Sequence, residues 1–268
     1  MTFDKHTFRE NDPYKQATRE ATLQAVMAQP LLWHRGGYLR AAWAELCGDN
    51  DRTCALLEDR QALRPHGAPY IGINYPDPTD KTTPAPFLEQ RARAILANNK
   101  AIYGEDACHK WVYGDMRDIL EQDLFPDIGV IVYDSFHSVT NAHLDTILGR
   151  VLTAFLQQAV RIGYAILALN LVERPRPGCS VPQGIQNLQS CLQDHFYSND
   201  TFQADPYPGR ASRSMHYLRF EADAHAARTI LDRHALGPLD PLDRKSAQTD
   251  HSPITFPKTV SENLATRF

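Results

Sequence analysis

The chain has 268 residues, 43% of them hydrophobic, and carries a formal net charge of −4 with its positive and negative residues interspersed. That size supports one large α/β domain, or one domain with appendages, and the lack of a basic block disfavours a nucleic-acid groove. No apolar run approaches the roughly 20 residues of a membrane-spanning helix, so no membrane span is expected.

In chain order, residues 1–12 are polar and lack the apolar core of a signal peptide. From Tyr14 the positions Ala17, Ala21, Leu23, Val26 and Met27 predict an amphipathic helix that ends before Pro30. The run L-L-W-H-R-G-G-Y-L (31–39) with a helical run from Tyr38 to Leu46 reads as a strand, a glycine pair and a helix. Asp49-Asn50-Asp51 is a turn or a helix cap. Residues 52–59 are either a second strand ending at Asp59 or a helix, in which case P-Y-I-G-I-N (69–74) is the strand. A proline-containing loop follows, then a helix from Phe87 to Tyr103. Cys108–Tyr113 and Ile128–Tyr133 are short apolar strands, with Met116–Leu120 a helix between them. Asn141–Val160 is a strongly amphipathic helix, Tyr164–Val172 a buried strand, and Ile185–Phe196 a helix. Ser214–Phe220 alternates as a strand does, Ala222–His234 reads as a helix, and the remainder is a Pro-rich arm or tail. Helices alternating with continuous apolar strands imply an α/β fold with a mainly parallel sheet.

The five cysteines (Cys47, Cys54, Cys108, Cys179, Cys191) form no CxxC pair, so a metal–thiolate site or disulfide framework is not expected and a reducing cytoplasm is. Chemistry concentrates between Cys108 and Val139, where Asp115 follows Gly114 and Asp134 follows Tyr133. A carboxylate at the carboxyl end of a doubly covered strand opens into the crevice where doubly wound sheets bind ligands. His137 stands beside Asp134, placing an acid and an imidazole that titrates near neutral pH in one turn.

Four segments together resemble class I S-adenosylmethionine-dependent methyltransferases, most nearly the macrocin-type sugar O-methyltransferases: H-R-G-G-Y-L (34–39), D-R-T-C-A-L-L-E-D-R-Q-A-L-R-P (51–65), Y-G-D-M-R-D-I-L (113–120) and D-S-F-H-S-V (134–139). The likeness covers residues ~30 to ~220 in outline and rests on element order. It implies a Rossmann-like doubly wound sheet with helices on both faces at 30–236, an N-terminal helical extension at 1–29 and an arm or tail at 237–268. It also implies S-adenosylmethionine as cofactor and a small hydroxylated acceptor, sugar-bearing among the candidates.

On that resemblance Gly36 and Gly37 let the backbone approach the cofactor, or simply make a turn, and Arg35 sits by its carboxylate or on the surface. Asp59, or Asn74 under the other strand assignment, accepts from the ribose hydroxyls. Gly114, Asp115 and the Met116 amide meet the adenine, the competing role of Asp115 being a helix cap. His137 takes the acceptor's proton, with Asp134 orienting it. A Mg²⁺ ion would use Asp134 and Asn170, but the family's acidic pair after the fifth strand is Leu169-Asn170 here, which leaves a poor oxygen donor set. A catalytically silent binding or scaffolding module is the rival reading, favoured by that missing acid and by the degenerate glycine loop. A nicotinamide-dependent oxidoreductase is disfavoured because no G-x-G-x-x-G follows a strand. The N-terminal helix and the Pro-rich tail are candidates for packing in a homo-oligomer.

Overall fold

The computed structural model describes the backbone of residues 13–76, 83–121, 125, 127–138, 149–173, 196–204 and 213–236. Within that range the side chains of 13–14, 121, 134–138, 149, 171–173, 196–204, 213–216 and 233–236 are not described. The chain divides into two units, Met1–Asp232 and Arg233–Phe268, and of the second only residues 233–236 are described.

The first unit is built on a seven-stranded sheet. Its strands are β1 (Ala42–Leu46), β2 (Tyr70–Asn74), β3 (His109–Tyr113), β4 (Ile128–Ser138), β5 (Tyr164–Glu173), β6 (Phe196–Ala204) and β7 (Arg213–Asp223). They are ordered β3-β2-β1-β4-β5-β7-β6. The contacts from β3 across to β5 are all parallel, whereas β7 runs antiparallel to both β5 and β6. The described helices are α1 (Pro13–Met27), α2 (Arg52–Asp59), α3 (Ala85–Tyr103), α4 (Met116–Glu121), α5 (Gly149–Ile162) and α6 (Ala224–Leu236).

Alternation along the strands assigns each helix to a face. Trp43, Tyr70, Val130, Val132, Ile166 and Ala168 bury against Leu23 and Val26 of α1, Leu57 of α2 and Leu96 of α3. Ala44, Ile71, Ile73, Ile131, Leu167 and Leu169 bury on the other face, against Ile119, Val151, Phe155 and Ile230. The apolar spacing of α5 aims Val151, Leu152, Phe155 and Ala159 at that second face, and Gly163, at φ 97°, ends the helix where a side chain would be strained. The architecture is a Rossmann-like, doubly wound, mainly parallel α/β sheet with helices on both faces.

Three expectations change. The helix expected over Tyr38–Leu46 gives way to a strand, β1, because Trp43 and Glu45 face one layer while Ala42 and Ala44 face the other, in register with β2 and β4. Leu31-Leu32 belong to a short 3₁₀ turn, Pro30–Leu32, and not to a strand. Between the two assignments of the second strand, Tyr70–Asn74 is β2 and residues 52–59 are helical. The start of the helix expected at Asn141 and most of that at Ile185–Phe196 lie outside the described residues. Phe196–Ala204 is a strand that the sequence reading did not anticipate.

Gly72 of β2 shows how tightly the α1–α3 face is filled. It lies opposite Trp111 of β3, and a Cβ there would come 2.4 Å from the indole Cζ3. The indole cannot swing away freely, because its Nε1 donates to the Gly104 carbonyl at 2.7 Å and the ring stacks on Tyr103. Gly72→Ala is expected to cost about 1–3 kcal/mol as overpacking. Urea denaturation measures the loss, and a second change, Trp111→Leu, should recover part of it.

Candidate functional site

Because the strands from β3 to β5 are parallel, their carboxyl ends share one edge of the sheet, the edge at which open α/β folds bind ligands. Leu46 and Ile73 are register partners, as are Asn74 and Tyr113, and Asp134 and Asn170. The same edge therefore carries Cys47–Asp51, Asn74, Gly114-Asp115 and the backbone of Asp134.

The first strand-to-helix turn is the most elaborated part of that edge. Glu45 is buried under it, accepting from Trp43 Nε1 at 3.0 Å and from the Thr53 hydroxyl at 3.0 Å. Asp51, also buried, caps α2 through the Thr53 and Cys54 amides at 3.0 and 3.2 Å and accepts the Tyr70 hydroxyl. Burial pushes the Glu45 carboxyl up to about 8, the Asp51 charge adds to the rise, and Arg19, Trp43 and Thr53 oppose it. Burial raises Asp51 as well, against the Tyr70 hydroxyl and the Cys54 and Thr53 amides. Burial and the charges of Asp51 and Glu45 push the Cys47 thiol upward, so it stays protonated and is no nucleophile.

Asn74 closes β2, and its Nδ2 donates to the Cys47 carbonyl at 2.6 Å, which leaves the side-chain oxygen as its remaining acceptor. The Gly114 amide continues the ladder, donating to the Asn74 carbonyl at 3.2 Å. Asp115 caps α4 through the Arg117 amide at 2.9 Å and pairs with the Arg117 guanidinium, whose Nε donates at 2.9 Å. Burial by itself would raise the Asp115 carboxyl, but the Arg117 hydrogen bonds and charge outweigh it and hold the group below the usual carboxylate range. Met116 is buried in the core beneath, so only its backbone reaches the edge.

Arg35, Gly36, Gly37 and Asp59, also singled out in the sequence, are not at this edge. Arg35, Gly36 and Gly37 form a turn closed by the His34 amide on the Tyr38 carbonyl at 2.9 Å, and that turn precedes β1. Asp59 ends α2, which has returned by then to the opposite edge, where the Leu39 amide donates to the Ala62 carbonyl at 2.8 Å. A helix after a strand must run back along it, so an acid at the helix's end cannot meet a ligand at the strand's end. Asp134 and His137, expected in one turn, lie instead on a continuation of β4 to Ser138, because β5 goes on pairing with that segment, and their side chains lie outside the described residues. Asn170 is buried in β5, level with Asp134 of β4 and three residues before the strand ends. Among the described residues no three His, Cys, Asp or Glu side chains gather as a metal site.

Between α1 and strands β1, β4 and β5 lies a polar cleft lined by Lys15, Arg19, Thr22, Glu45, Gly48 and Asn170. Its free volume of about 20 Å³ has room for a water and not for a nucleoside.

Glu45, Gly48 and Asp51 did not stand out in the sequence as site residues. Their signal was an acid ending an apolar strand, then a glycine, then an Asp before T-C-A-L-L. It was hidden because that strand was read as a helix.

No protein-family model matches this chain, and no curated protein does. Among solved structures it is similar to the N-methyltransferase NodS of Bradyrhizobium japonicum, at 11% identity over 78% of this chain and 98% of that one, with a TM-score of 0.37. It is similar to the magnesium protoporphyrin IX methyltransferase of Synechocystis, solved with bound SAM, at 11% identity over 76% and 79% of the chains and a TM-score of 0.41. The O-methyltransferase TomG of Streptomyces achromogenes, also with SAM, gives 12% identity, 76% and 79% coverage and a TM-score of 0.41. The assignment of the fold rests on strand order and direction, not on these likenesses.

The raised Glu45 gives a pH signature. A carboxyl that is harder to ionise when folded favours the folded state below its unfolded value of 4.5 and loses that contribution as pH climbs towards about 8. Melting temperature is expected to decline from pH 5 to pH 8, and Glu45→Gln to flatten the decline. An equally steep decline in the variant would show that Glu45 is not its source.

Proposed function

We propose that the chain is an S-adenosylmethionine-dependent methyltransferase acting on a hydroxyl of a small acceptor, with sugar-bearing acceptors as the first class to test. The observation that carries this reading is the internal capping of α2. Folds that bind a pyrophosphate leave the amides at this helix N-terminus free for the anion. Here the Thr53 and Cys54 amides are taken by Asp51, and a second acid, Glu45, is buried behind the same turn. With those amides taken, the turn is poorly suited to a phosphate and better suited to a nucleoside that carries none.

When bound, S-adenosylmethionine supplies an electrophilic methyl on a sulfonium, which passes to the acceptor oxygen as the S–C bond breaks. The chain's own tasks are to hold the two partners in line and to remove the acceptor's proton. Asn74, with one side-chain acceptor left and its amide committed to the turn, serves a ribose hydroxyl at the end of β2. Gly114, Asp115 and the Met116 backbone border the base, though the Arg117 pair leaves Asp115 with less acceptor capacity than a free carboxylate. His137, near the carboxyl end of β4, takes the hydroxyl proton, and Asp134 orients the imidazole.

A second reading, a catalytically silent module, is favoured by Asn170 of β5, which is neutral where an acid would assist an acceptor or a metal. Calorimetric titration separates the two. Heats are expected with S-adenosylmethionine and S-adenosylhomocysteine and none with NAD. No heat with either sulfur nucleoside would support the silent module, and heat with NAD alone would reverse the argument from the capped helix. If the enzyme reading holds, His137→Ala should lower transfer to a panel of sugar-bearing and phenolic hydroxyls by roughly 10²–10⁴-fold with affinity for S-adenosylhomocysteine unchanged.

A further inference from the structure

The two ends of one turn are tied by a side chain from another helix. Residues 48–51 follow β1 as a turn, in which the Gly48 carbonyl and the Asp51 amide are brought near each other. Asn99 of α3, fully buried, bridges the two groups, its Nδ2 donating to the Gly48 carbonyl at 2.8 Å and its Oδ1 accepting from the Asp51 amide at 3.0 Å. One carboxamide thus fastens both feet of the turn to α3.

The surroundings fix the same shape. Asn98 donates to the side-chain oxygens of Asp49 at 2.6 Å and Asn50 at 3.2 Å, drawing the crest's side chains towards α3. The Tyr103 hydroxyl donates to the Asp51 carbonyl at 2.9 Å. Asn50 adopts φ 51°, the left-handed region that Asn tolerates better than most residues. Asp49 and Asn50 stay exposed at the crest while Cys47 and Asp51 are buried. Gly48 is the turn's only glycine. The conformation therefore comes from α3 and not from a glycine-rich backbone.

We propose that Asn99 is a positioning residue for cofactor binding. By fastening both feet of the β1–α2 turn to α3 it sets where the backbone of Gly48–Asn50 meets the amino-acid end of the nucleoside. This rests on the reading of the site as one for S-adenosylmethionine. Neither nearby substitute for Asn99 can bridge both groups. Aspartate keeps an acceptor for the Asp51 amide but sets a second oxygen against the Gly48 carbonyl, and alanine offers neither donor nor acceptor.

The test compares Asn99→Ala and Asn99→Asp with Leu96→Ala, a cavity variant in the same helix that leaves the turn's hydrogen bonds intact. Melting temperature, S-adenosylhomocysteine affinity by calorimetry and hydrogen exchange of the 48–51 amides are measured for each. All three variants are expected to melt lower than the parent. Only the Asn99 variants should bind S-adenosylhomocysteine at least about tenfold more weakly and exchange the Asp51 amide faster in the free protein. Affinity within twofold of the parent in Asn99→Ala, or an equal affinity loss in Leu96→Ala, would overturn the inference while the enzyme reading stood. If the parent itself binds no S-adenosylhomocysteine, the enzyme reading fails and this role fails with it; exchange at Asp51 then tells only whether Asn99 shapes the turn.

Discussion

Asp51 is the residue on which the functional edge depends. Its carboxylate caps α2, accepts the Tyr70 hydroxyl from β2, and lies near Glu45 of β1, while its backbone is bonded to Asn99 and Tyr103 of α3. Two strands and two helices thus meet through one residue. A carboxyl buried in such a place is stable only if donors replace its lost water, and three donors do so here. The geometry of the first strand-to-helix turn follows from meeting that demand.

This arrangement bears on ligand class. A helix N-terminus is an anion site when its amides are free, and α2 has spent its first amides internally. Lys15 and Arg19 of α1 line the polar cleft beside Glu45, and the Arg19 charge opposes the rise that burial imposes on both Glu45 and Asp51. The site is one in which local charge is supplied by chain segments far apart in sequence.

The fold was legible where one element's periodicity decided the answer. Ile128–Tyr133 and Tyr164–Leu169 are runs without a charged or amide side chain and became central strands, and the helical spacing of Phe87–Tyr103 held. A-A-W-A-E-L was misread because alanine and leucine suit helices, and nothing local shows that the segment lies between two parallel neighbours. That error displaced the glycine loop to Gly36-Gly37 and hid Glu45 and Gly48. Asp49-Asn50-Asp51, read as a turn or cap, does contain the cap of α2.

The sequence by itself determined the alternation of helices and buried strands, the acidic residues at strand ends, and the absence of a helix long and apolar enough to cross a membrane among the described residues. These are properties of hydrophobic period and residue type, which act over a few neighbouring positions. Only the tertiary structure decided that Asn74 and not Asp59 reaches the ligand edge, and that Asn99, distant in sequence, shapes the turn after β1. Strand direction and order set which ends share an edge, and they are fixed by contacts between segments that no local pattern encodes.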